Sequence, residues 1–292
     1  MVYDMPLYRP PSEARSLIFQ ITIGCSWNKC LFCGMYKGKQ YRVRPWDEIE
    51  QDVREQAGIN PDTRKIFLAD GDVLSADTGF LIRVLDLLNE SFPRLERISS
   101  YAGPSNFRDK TVDDLVSLRQ RKLDVLYLGI ETGNADLLKR IKKGATPGQL
   151  IEGCRKAIDA GLRMSTIILL GLGGVEGSYR HAKDSAHVVN EIDPQFLACL
   201  TLMLGPFAET YEKEIMGNGF KMIDKRQSLQ ELRWLVEDLE LGGCRFGTEH
   251  ASNYLPLNGD FPKDKEKILS LIDKALGQGH SEMLRPEWAR GL

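Results

Sequence analysis

The chain has 292 residues, of which 42% are hydrophobic and 27% charged, a composition typical of globular rather than disordered proteins. Its 39 Lys and Arg residues nearly balance 41 Asp and Glu residues, and the net charge of −2 argues against a dedicated nucleic-acid coat or a basic membrane-surface protein. No apolar run approaches the ~20 residues that span a bilayer, and the N-terminus lacks the apolar segment of a signal peptide. We therefore expect a cytoplasmic protein with no membrane partner, for which nucleic acid is disfavoured as a partner but left open.

Short β-rich runs alternate with helical segments six times along the chain. The predicted strands are residues 16–23, 64–69, 96–101, 124–130, 163–170 and 195–203. The helices predicted after the first five strands are 46–56, 78–92, 110–122, two pieces separated by Gly144 and Pro147, and 176–191. Continuous apolar runs are typical of strands buried on both faces of a parallel sheet. The alternation predicts an α/β fold, either an open six-stranded barrel or a doubly wound sheet, with the chemistry at the carboxyl ends of the strands.

The pattern changes after the sixth predicted strand. A helix is predicted over residues 229–241, a polar stretch over 248–259 and a last helix over 263–276. No linker rich in Pro, Gly or Ser separates these segments from the strands before them. We predict a barrel with an N-terminal lead-in over residues 1–205 and a C-terminal extension of helices and loops, packed on the barrel, over 206–292.

Three of the six cysteines lie within nine residues, directly after the first predicted strand. Cys25, Cys30 and Cys33 form a C-x4-C-x2-C loop. Soft thiolates select iron–sulfur clusters, zinc or copper(I), and three thiolates on a four-iron cluster leave one iron open to a ligand. All four histidines are distant in sequence. The alternatives are a zinc site completed by a distant Cys or His and three unconnected buried cysteines.

The cysteine loop resembles that of the radical S-adenosylmethionine (radical SAM) enzymes, which carry three cysteines after the first strand of a partial (β/α)6 barrel. Their commonest spacing is C-x3-C-x2-C, so the first gap has one extra residue here. Phe32 matches the aromatic residue that precedes the third cysteine and lies near the adenine in that family. The resemblance covers residues 17–203 and looks closest to the branch of coproporphyrinogen dehydrogenases and methylthiotransferases.

The resemblance implies an enzyme, either an oxidoreductase or a transferase, with two cofactors. Cys25, Cys30 and Cys33 would hold a [4Fe–4S] cluster whose open iron binds the amino and carboxylate groups of S-adenosylmethionine. An electron from the cluster would cleave the sulfonium bond and give a 5′-deoxyadenosyl radical, which would abstract hydrogen from an unidentified substrate. The implied partners are a small-molecule substrate and an electron donor of the flavodoxin or ferredoxin type.

Two acidic segments follow predicted strands. Asp70, Gly71 and Asp72 match in position the family's Gly-Gly-Glu segment, which binds the methionine amino group, and carboxylate oxygens are suitable acceptors for an ammonium. Glu131, after the fourth strand, resembles the family's Gly-Ile-Glu-Ser/Thr segment and suits a ribose diol. The alternative for residues 70–72 is a plain Asp-Gly turn, and the alternative for the segment at Glu131 is a cap for the following helix.

The remaining candidates carry weaker signals. Gly171 follows the fifth strand, where glycine permits close approach to a planar ring, and Ser100 ends the third strand. Cys154 and Cys199 are predicted as core thiols. Cys244 begins a polar stretch, residues 244–254, that either is a solvated loop or closes the open side of the barrel and touches the substrate.

Two other functions stay open, and no catalytic residue is assigned. The first is a non-catalytic protein that binds zinc or an iron–sulfur cluster and acts as a carrier or binding module. The second is an ordinary α/β-barrel enzyme with a nucleophilic cysteine, which needs a nearby histidine base. Carboxylates at two strand ends argue against the first function, while histidines found only after residue 180 neither support nor exclude the second.

Overall fold

The computed structural model describes residues 1–205, 208–216, 220–277 and 283–291. The strands in these ranges are β1 (Leu17–Gln20), β2 (Thr22–Ile23), β3 (Arg42–Val43), β4 (Lys65–Ala69), β5 (Arg97–Tyr101), β6 (Leu123–Glu131), β7 (Arg163–Leu170), β8 (Phe196–Thr201), β9 (Cys244–Gly247) and β10 (Asn258–Phe261). The helices are α1 (Trp46–Ile59), α2 (Thr78–Ser91), α3 (Pro104–Asp109), α4 (Val112–Gln120), α5 (Ala135–Arg140), α6 (Pro147–Asp159), α7 (Gly174–Ile192), α8 (Ala208–Thr210), α9 (Lys225–Asp238) and α10 (Lys265–Leu276).

All six predicted strands are present, and β7 has the predicted bounds. The first predicted strand is divided, because β1 pairs in parallel with β4 whereas β2 pairs antiparallel with β3. Strand β4 is buried after its first residue, as expected for a strand covered on both faces. Eight strands, all except β2 and β3, form the main sheet.

The chain divides into two compact units. The first comprises Met1–Lys29, Cys33–Leu128 and Gly153–Met164. In this unit β1, β4, β5 and the beginning of β6 lie side by side in parallel. Helices α2 and α4 bury leucines on one face each, and every fully buried leucine contributes roughly 1.5–3 kcal/mol by leaving water. The parallel order brings the carboxyl ends of β4 and β5 to the same edge of the sheet.

The second unit comprises Cys30–Phe32, Gly129–Glu152 and Ser165–Leu292. Here β7, β8 and β9 are parallel, and β10 is antiparallel to β9. Helix α9 packs between α7 and α10. The carboxyl end of β7 therefore leads to a turn that precedes α7, and α9 lies against that helix.

The polar stretch after residue 243 was predicted without strands, and this was wrong. Cys244–Gly247 forms β9 and Asn258–Phe261 forms β10. Each strand has only four residues, and Gly247, Asn258 and Gly259 have low strand propensity. Pairing of β9 with β8 and of β10 with β9 outweighs that propensity, because strand preference depends on the neighbours more than on the residue itself.

The sheet and helices confirm the predicted α/β class. The sheet is mostly parallel, with β10 as its antiparallel strand. Within the described ranges, no helix has both the length and the apolar character needed to cross a lipid bilayer. The division into residues 1–205 and 206–292 stays a prediction.

Candidate functional site

The cysteine loop of the first unit is fastened at both ends to one buried carboxylate. Oδ2 of Asp70 accepts a hydrogen bond from the Gly24 backbone N–H (3.0 Å) and pairs with the Lys39 ammonium (2.9 Å). The Gln20 side-chain amide donates to the same oxygen over 3.1 Å. Asp70 is fully buried, so these three donors replace the water that it loses. The residue therefore positions the loop in which Cys25 and Cys33 lie.

Gly71 packs directly against an aromatic ring of the cysteine loop. A Cβ atom at Gly71 would overlap the ring of Tyr36, so a side chain is excluded unless that ring moves. Burial raises the pKa of Tyr36, and negative charge on neighbouring groups, Cys25 and Cys33 among them, raises it further. Tyr36 thus packs against the β4 exit and lies within electrostatic reach of the two cysteines of this unit.

Asp72 is the second buried carboxylate after β4. The Ser26 hydroxyl, next to Cys25, donates a hydrogen bond to its Oδ2. Burial raises the pKa of Asp72 above its usual range, and the neighbouring Ser26 and Asn106 side chains oppose that rise. The carboxylates on both sides of Gly71 therefore contact the cysteine loop, one at its ends and one beside its first cysteine.

Three buried polar atoms around Gly71 lack a hydrogen-bond partner within the part of the chain that the structure describes. They are the Tyr36 hydroxyl, Oδ1 of Asp70 and Oδ1 of Asp72. An unsatisfied buried polar group costs about 1–3 kcal/mol, so such atoms indicate a place for a ligand with complementary groups. A ligand ammonium would satisfy the two carboxylate oxygens, and the residues present thus fit the amino group of S-adenosylmethionine.

In the second unit, Glu131 is paired with a lysine that the sequence did not indicate. The Lys143 ammonium donates to Oε1 of Glu131 over 2.8 Å. Glu131 has a positive φ of 67°, and a Cβ atom at Gly129 would collide with its carboxylate. Gly129 therefore lets the Glu131 side chain fold back beside the strand. In the sequence, only the Lys142-Lys143-Gly144 segment after α5 could have pointed to a lysine near Glu131.

Phe32 belongs to the second unit together with Cys30. The Leu31 N–H donates to the Ile141 carbonyl over 3.0 Å. Leu31 and Phe32 pack against a buried apolar cluster that consists of Ile141, Leu169, Leu172, Leu202, Leu204 and Tyr211. This packing fixes the segment between the second and third cysteines on the second unit.

Gly171 forms the turn that follows β7. Its φ of +89° is a conformation that favours glycine, and its N–H donates to Oε1 of Glu231 over 2.7 Å. The Ser178 hydroxyl donates to the other oxygen of that carboxylate. Nε2 of His181 lies 3.5 Å from Oε1 of Glu231, and Nδ1 of His181 is hydrogen-bonded to the Thr132 hydroxyl over 2.8 Å.

Burial shifts both titratable groups of this network toward neutrality. It raises the pKa of Glu231 to about 7 and lowers the pKa of His181 to about 4. Desolvation penalises the charged form of each group, which accounts for the opposite directions. Sequence reasoning missed both residues, since Glu231 is 60 positions from Gly171 and lies in an ordinary amphipathic helix.

Ser100 is buried in β5, and its hydroxyl donates to the Leu68 carbonyl of β4 over 3.2 Å. Its contact with a cofactor stays a prediction. Cys154, Cys199 and Cys244 are buried, and none of them forms a disulfide. Burial raises the pKa of Cys154 and of Cys244 to about 12 and also raises that of Cys199. The three thiols therefore stay protonated at neutral pH, as expected for core cysteines.

The polar stretch after β9 is attached to the end of β8. The Asn253 amide donates to the Cys199 carbonyl over 2.6 Å, and the Thr201 hydroxyl donates to Oδ1 of Asn253 over 2.8 Å. Thr248, Ser252 and Asn253 are buried. This part of the stretch is therefore not a solvated loop, and its contact with substrate stays a prediction.

The three loop cysteines are divided between the units, with Cys25 and Cys33 in the first and Cys30 in the second. In the described portion of the chain, no three or more His, Cys, Asp or Glu side chains come together in a group that could hold a metal ion. The structure thus places the cysteines on one loop without arranging them as a ligand set. Their assignment as cluster ligands stays a prediction.

A family profile described as the radical SAM superfamily matches residues 19–184. The heme chaperone HemW of Bacillus subtilis is 23% identical over 185 residues, which are 61% of this chain and 48% of HemW. A protein of Methanocaldococcus jannaschii with a provisional methylthiotransferase name is 27% identical over 155 residues, which are 49% of this chain and 32% of that protein. The chain therefore spans about half and about a third of the lengths of these relatives.

Solved structures share the fold at low sequence identity. The coproporphyrinogen III oxidase HemN from Escherichia coli has a TM-score of 0.56 and 18% identity, over 76% of this chain and 51% of HemN. The methylornithine synthase PylB has a TM-score of 0.53 and 16% identity, over 77% of this chain and 63% of PylB. The enzyme anSMEcpe with bound AdoMet has a TM-score of 0.57 and 14% identity, over 76% and 58% of the two chains. These likenesses confirm the predicted partial barrel.

Proposed function

Because the chain belongs to the radical SAM superfamily, whose enzymes use a [4Fe–4S] cluster and S-adenosylmethionine, we propose that Cys25, Cys30 and Cys33 hold the cluster and that residues at the carboxyl ends of the strands hold S-adenosylmethionine. When bound, the two groups supply reductive cleavage of the sulfonium bond and a 5′-deoxyadenosyl radical that abstracts hydrogen from a substrate. The residues of this chain would bind and orient these two groups and would exclude water from them. The substrate we propose is a small molecule, and the electron donor is of the flavodoxin or ferredoxin type.

The observation that carries the proposal is the pair of unsatisfied carboxylate oxygens on either side of Gly71. Oδ1 of Asp70 and Oδ1 of Asp72 are buried beside the loop of Cys25 and Cys33. A charge-assisted hydrogen bond from an ammonium is among the stronger interactions available to a buried carboxylate. Asp70 and Asp72 would therefore receive the amino group of S-adenosylmethionine, and Gly71 would allow its close approach.

The adenosine half is assigned to the second unit. Phe32 presents an aromatic ring anchored on a buried apolar cluster, and Gly171 forms a turn without a side chain at the end of β7. Glu131, held by Lys143, offers a carboxylate for a ribose diol. We assign Phe32 and Gly171 to the adenine and Glu131 to the ribose, with Ser100 close to the same cofactor.

The other two functions have less support. A zinc protein or carrier has no use for buried carboxylate oxygens that lack partners, because each of them lowers stability. A nucleophilic cysteine needs a lowered thiol pKa, whereas burial raises that of Cys154, Cys199 and Cys244. Neither arrangement accounts for the features around Gly71.

Anaerobic reconstitution with iron and sulfide tests the proposal. After reduction with dithionite and addition of S-adenosylmethionine, we expect about four irons per chain and formation of 5′-deoxyadenosine. Cys30→Ala should abolish both, whereas Cys154→Ala, a buried core thiol, should retain both. Equal losses in the two variants would contradict the ligand assignment. A protein that fills with zinc and forms neither cluster nor 5′-deoxyadenosine would contradict the function.

A further inference from the structure

A buried polar network in the second unit connects α9 to the carboxyl ends of β6 and β7. Its central residues are Glu231 on α9 and His181 on α7, and neither side chain is exposed at all. The Glu231 carboxylate accepts the Gly171 N–H and the Ser178 hydroxyl. His181 is hydrogen-bonded to Thr132, which directly follows Glu131. Three hydrogen bonds of this kind in an apolar interior need a reason, because a hydrophobic core would be less costly.

The β7 end of the network fixes the turn at Gly171. A backbone N–H at the end of a strand has no partner in the ladder, and a positive φ at this position turns the chain away from the sheet. Glu231 supplies the missing acceptor from a helix 60 residues later in the sequence. Because Ser178 lies in the helix that begins at this turn, its hydrogen bond to Glu231 also holds that helix start in place.

The β6 end of the network fixes the segment after Glu131. The Thr132 hydroxyl is held by Nδ1 of His181, and the Gly133 N–H donates to the Ser185 hydroxyl of α7 over 3.0 Å. A Cβ atom at Gly133 would collide with the backbone of α7 at Asp184. The chain after β6 is therefore pressed against α7 and anchored there by side chains.

We propose that Glu231 and His181 are positioning residues for the adenosine half of S-adenosylmethionine, so that α9 of the C-terminal segment completes the cofactor site. The inference rests on the proposed function, because it is the assignment of Glu131 and Gly171 to ribose and adenine that gives the network its task. Neither positioning residue needs to touch the cofactor. Each holds a backbone segment that does, and the network couples the two segments through α7 and α9.

Equilibrium binding of 5′-methylthioadenosine to the reconstituted, cluster-containing protein tests the inference without turnover. Glu231→Ala removes the acceptor of the Gly171 N–H and should weaken binding at least about fivefold, the effect of one lost hydrogen bond. Glu231→Gln keeps an acceptor oxygen and should restore affinity to within about twofold of wild type. Glu237→Ala, an exposed glutamate on the same helix, is the matched control and should bind as wild type does.

A second measurement separates positioning from general loss of structure. Free methionine, which lacks the adenosine half, should change the electron paramagnetic resonance spectrum of the reduced cluster equally in wild type and in Glu231→Ala. Should Glu231→Ala fail to fold, Thr132→Val removes the hydroxyl that is bonded to His181 and that also accepts the Asn134 N–H, and it should weaken nucleoside binding about threefold.

The outcomes distinguish this inference from the proposed function. Wild-type binding of 5′-methylthioadenosine that is unchanged in Glu231→Ala, or in Thr132→Val where the former does not fold, would overturn the positioning role alone. Equal losses for methionine and nucleoside would overturn it as well, because they would show a general structural effect. A wild-type protein that binds neither nucleoside nor S-adenosylmethionine would overturn the inference together with the proposed function.

Discussion

The ammonium of Lys143 lies 2.8 Å from the Glu131 carboxylate, and only 10% and 11% of the two side chains are exposed. Both charges have therefore left water, and their pairing compensates part of that loss. The pair sits at the end of β6, where Glu131 has a positive φ and Gly129 leaves room for its side chain. This geometry makes Lys143 a determinant of where the Glu131 carboxylate lies.

Loss of Lys143 should be strongly destabilising. Lys143→Met keeps much of the side-chain length but leaves the Glu131 charge without its partner, and we expect the free energy of unfolding to fall by about 3 kcal/mol. Urea unfolding measures this change. The double variant with Glu131→Gln should recover most of the loss, and Lys139→Met at an exposed position should change stability by less than about 0.5 kcal/mol. Equal stability of the Lys143 and Lys139 variants would contradict a buried pair.

Removal of the Asp70 charge should loosen the cysteine loop. In Asp70→Asn an amide replaces the carboxylate that accepts hydrogen bonds from Gly24, Lys39 and Gln20. We expect the free energy of unfolding to fall by about 2–3 kcal/mol and proteolysis between residues 24 and 39 to become faster. Asp4→Asn is the control, because Asp4 lies 3.4 Å from the same lysine but its side chain is 41% exposed. Identical cleavage patterns for the two variants would show that Asp70 does not fasten the loop.

Glu231 should make stability depend on pH. Its folded-state pKa of about 7 lies above the ordinary value of 4.5, so its stabilising contribution is present at pH 4.5 and is lost as the pH rises through 7. Between pH 5 and 8 the unfolding free energy of wild type should fall by about 2–3 kcal/mol relative to Glu231→Gln. The lowered pKa of His181 has the opposite effect, because it makes stability fall as the pH becomes more acidic. His181 is present in both proteins, so the comparison with Glu231→Gln reports on Glu231.

Urea unfolding at the two pH values measures this difference, and Glu237→Gln on the same helix is the control. A wild-type curve that runs parallel to that of Glu231→Gln would show that the Glu231 carboxyl does not titrate abnormally. A gain of wild-type stability toward pH 8 relative to Glu231→Gln would contradict the raised pKa of Glu231.

A matched pair of glycine substitutions tests the contact between Gly71 and Tyr36. Gly71→Ala would place a methyl group in the Tyr36 ring, and we expect it to cost about 1–3 kcal/mol. Gly58 lies in α1, and no atom is within 4 Å of the Cβ that Gly58→Ala would add. This substitution should raise the free energy of unfolding by up to about 1 kcal/mol through helix propensity. Thermal unfolding of both variants measures these changes, and a Gly71→Ala protein as stable as wild type would refute the close packing.

The sequence was most informative where chemistry and position coincide. The cysteine loop and the acidic segments at Asp70–Asp72 and Glu131 could be recognised because each directly follows an apolar strand. Lys143, His181 and Glu231 could not, because their roles depend on contacts 12, 49 and 60 residues apart. Strands β9 and β10 were missed for a related reason, since pairing of β9 with β8 and of β10 with β9 forms them despite weak local propensity.

Both ends of the cysteine loop meet at a single buried oxygen, Oδ2 of Asp70, and this has a consequence for loop length. A segment closed by such a fixed anchor can gain a residue at little cost, because lengthening it by one residue adds less than about 0.1 kcal/mol of closure entropy. The additional residue between Cys25 and Cys30 is thus a change that this architecture absorbs without relocating the strand ends around it.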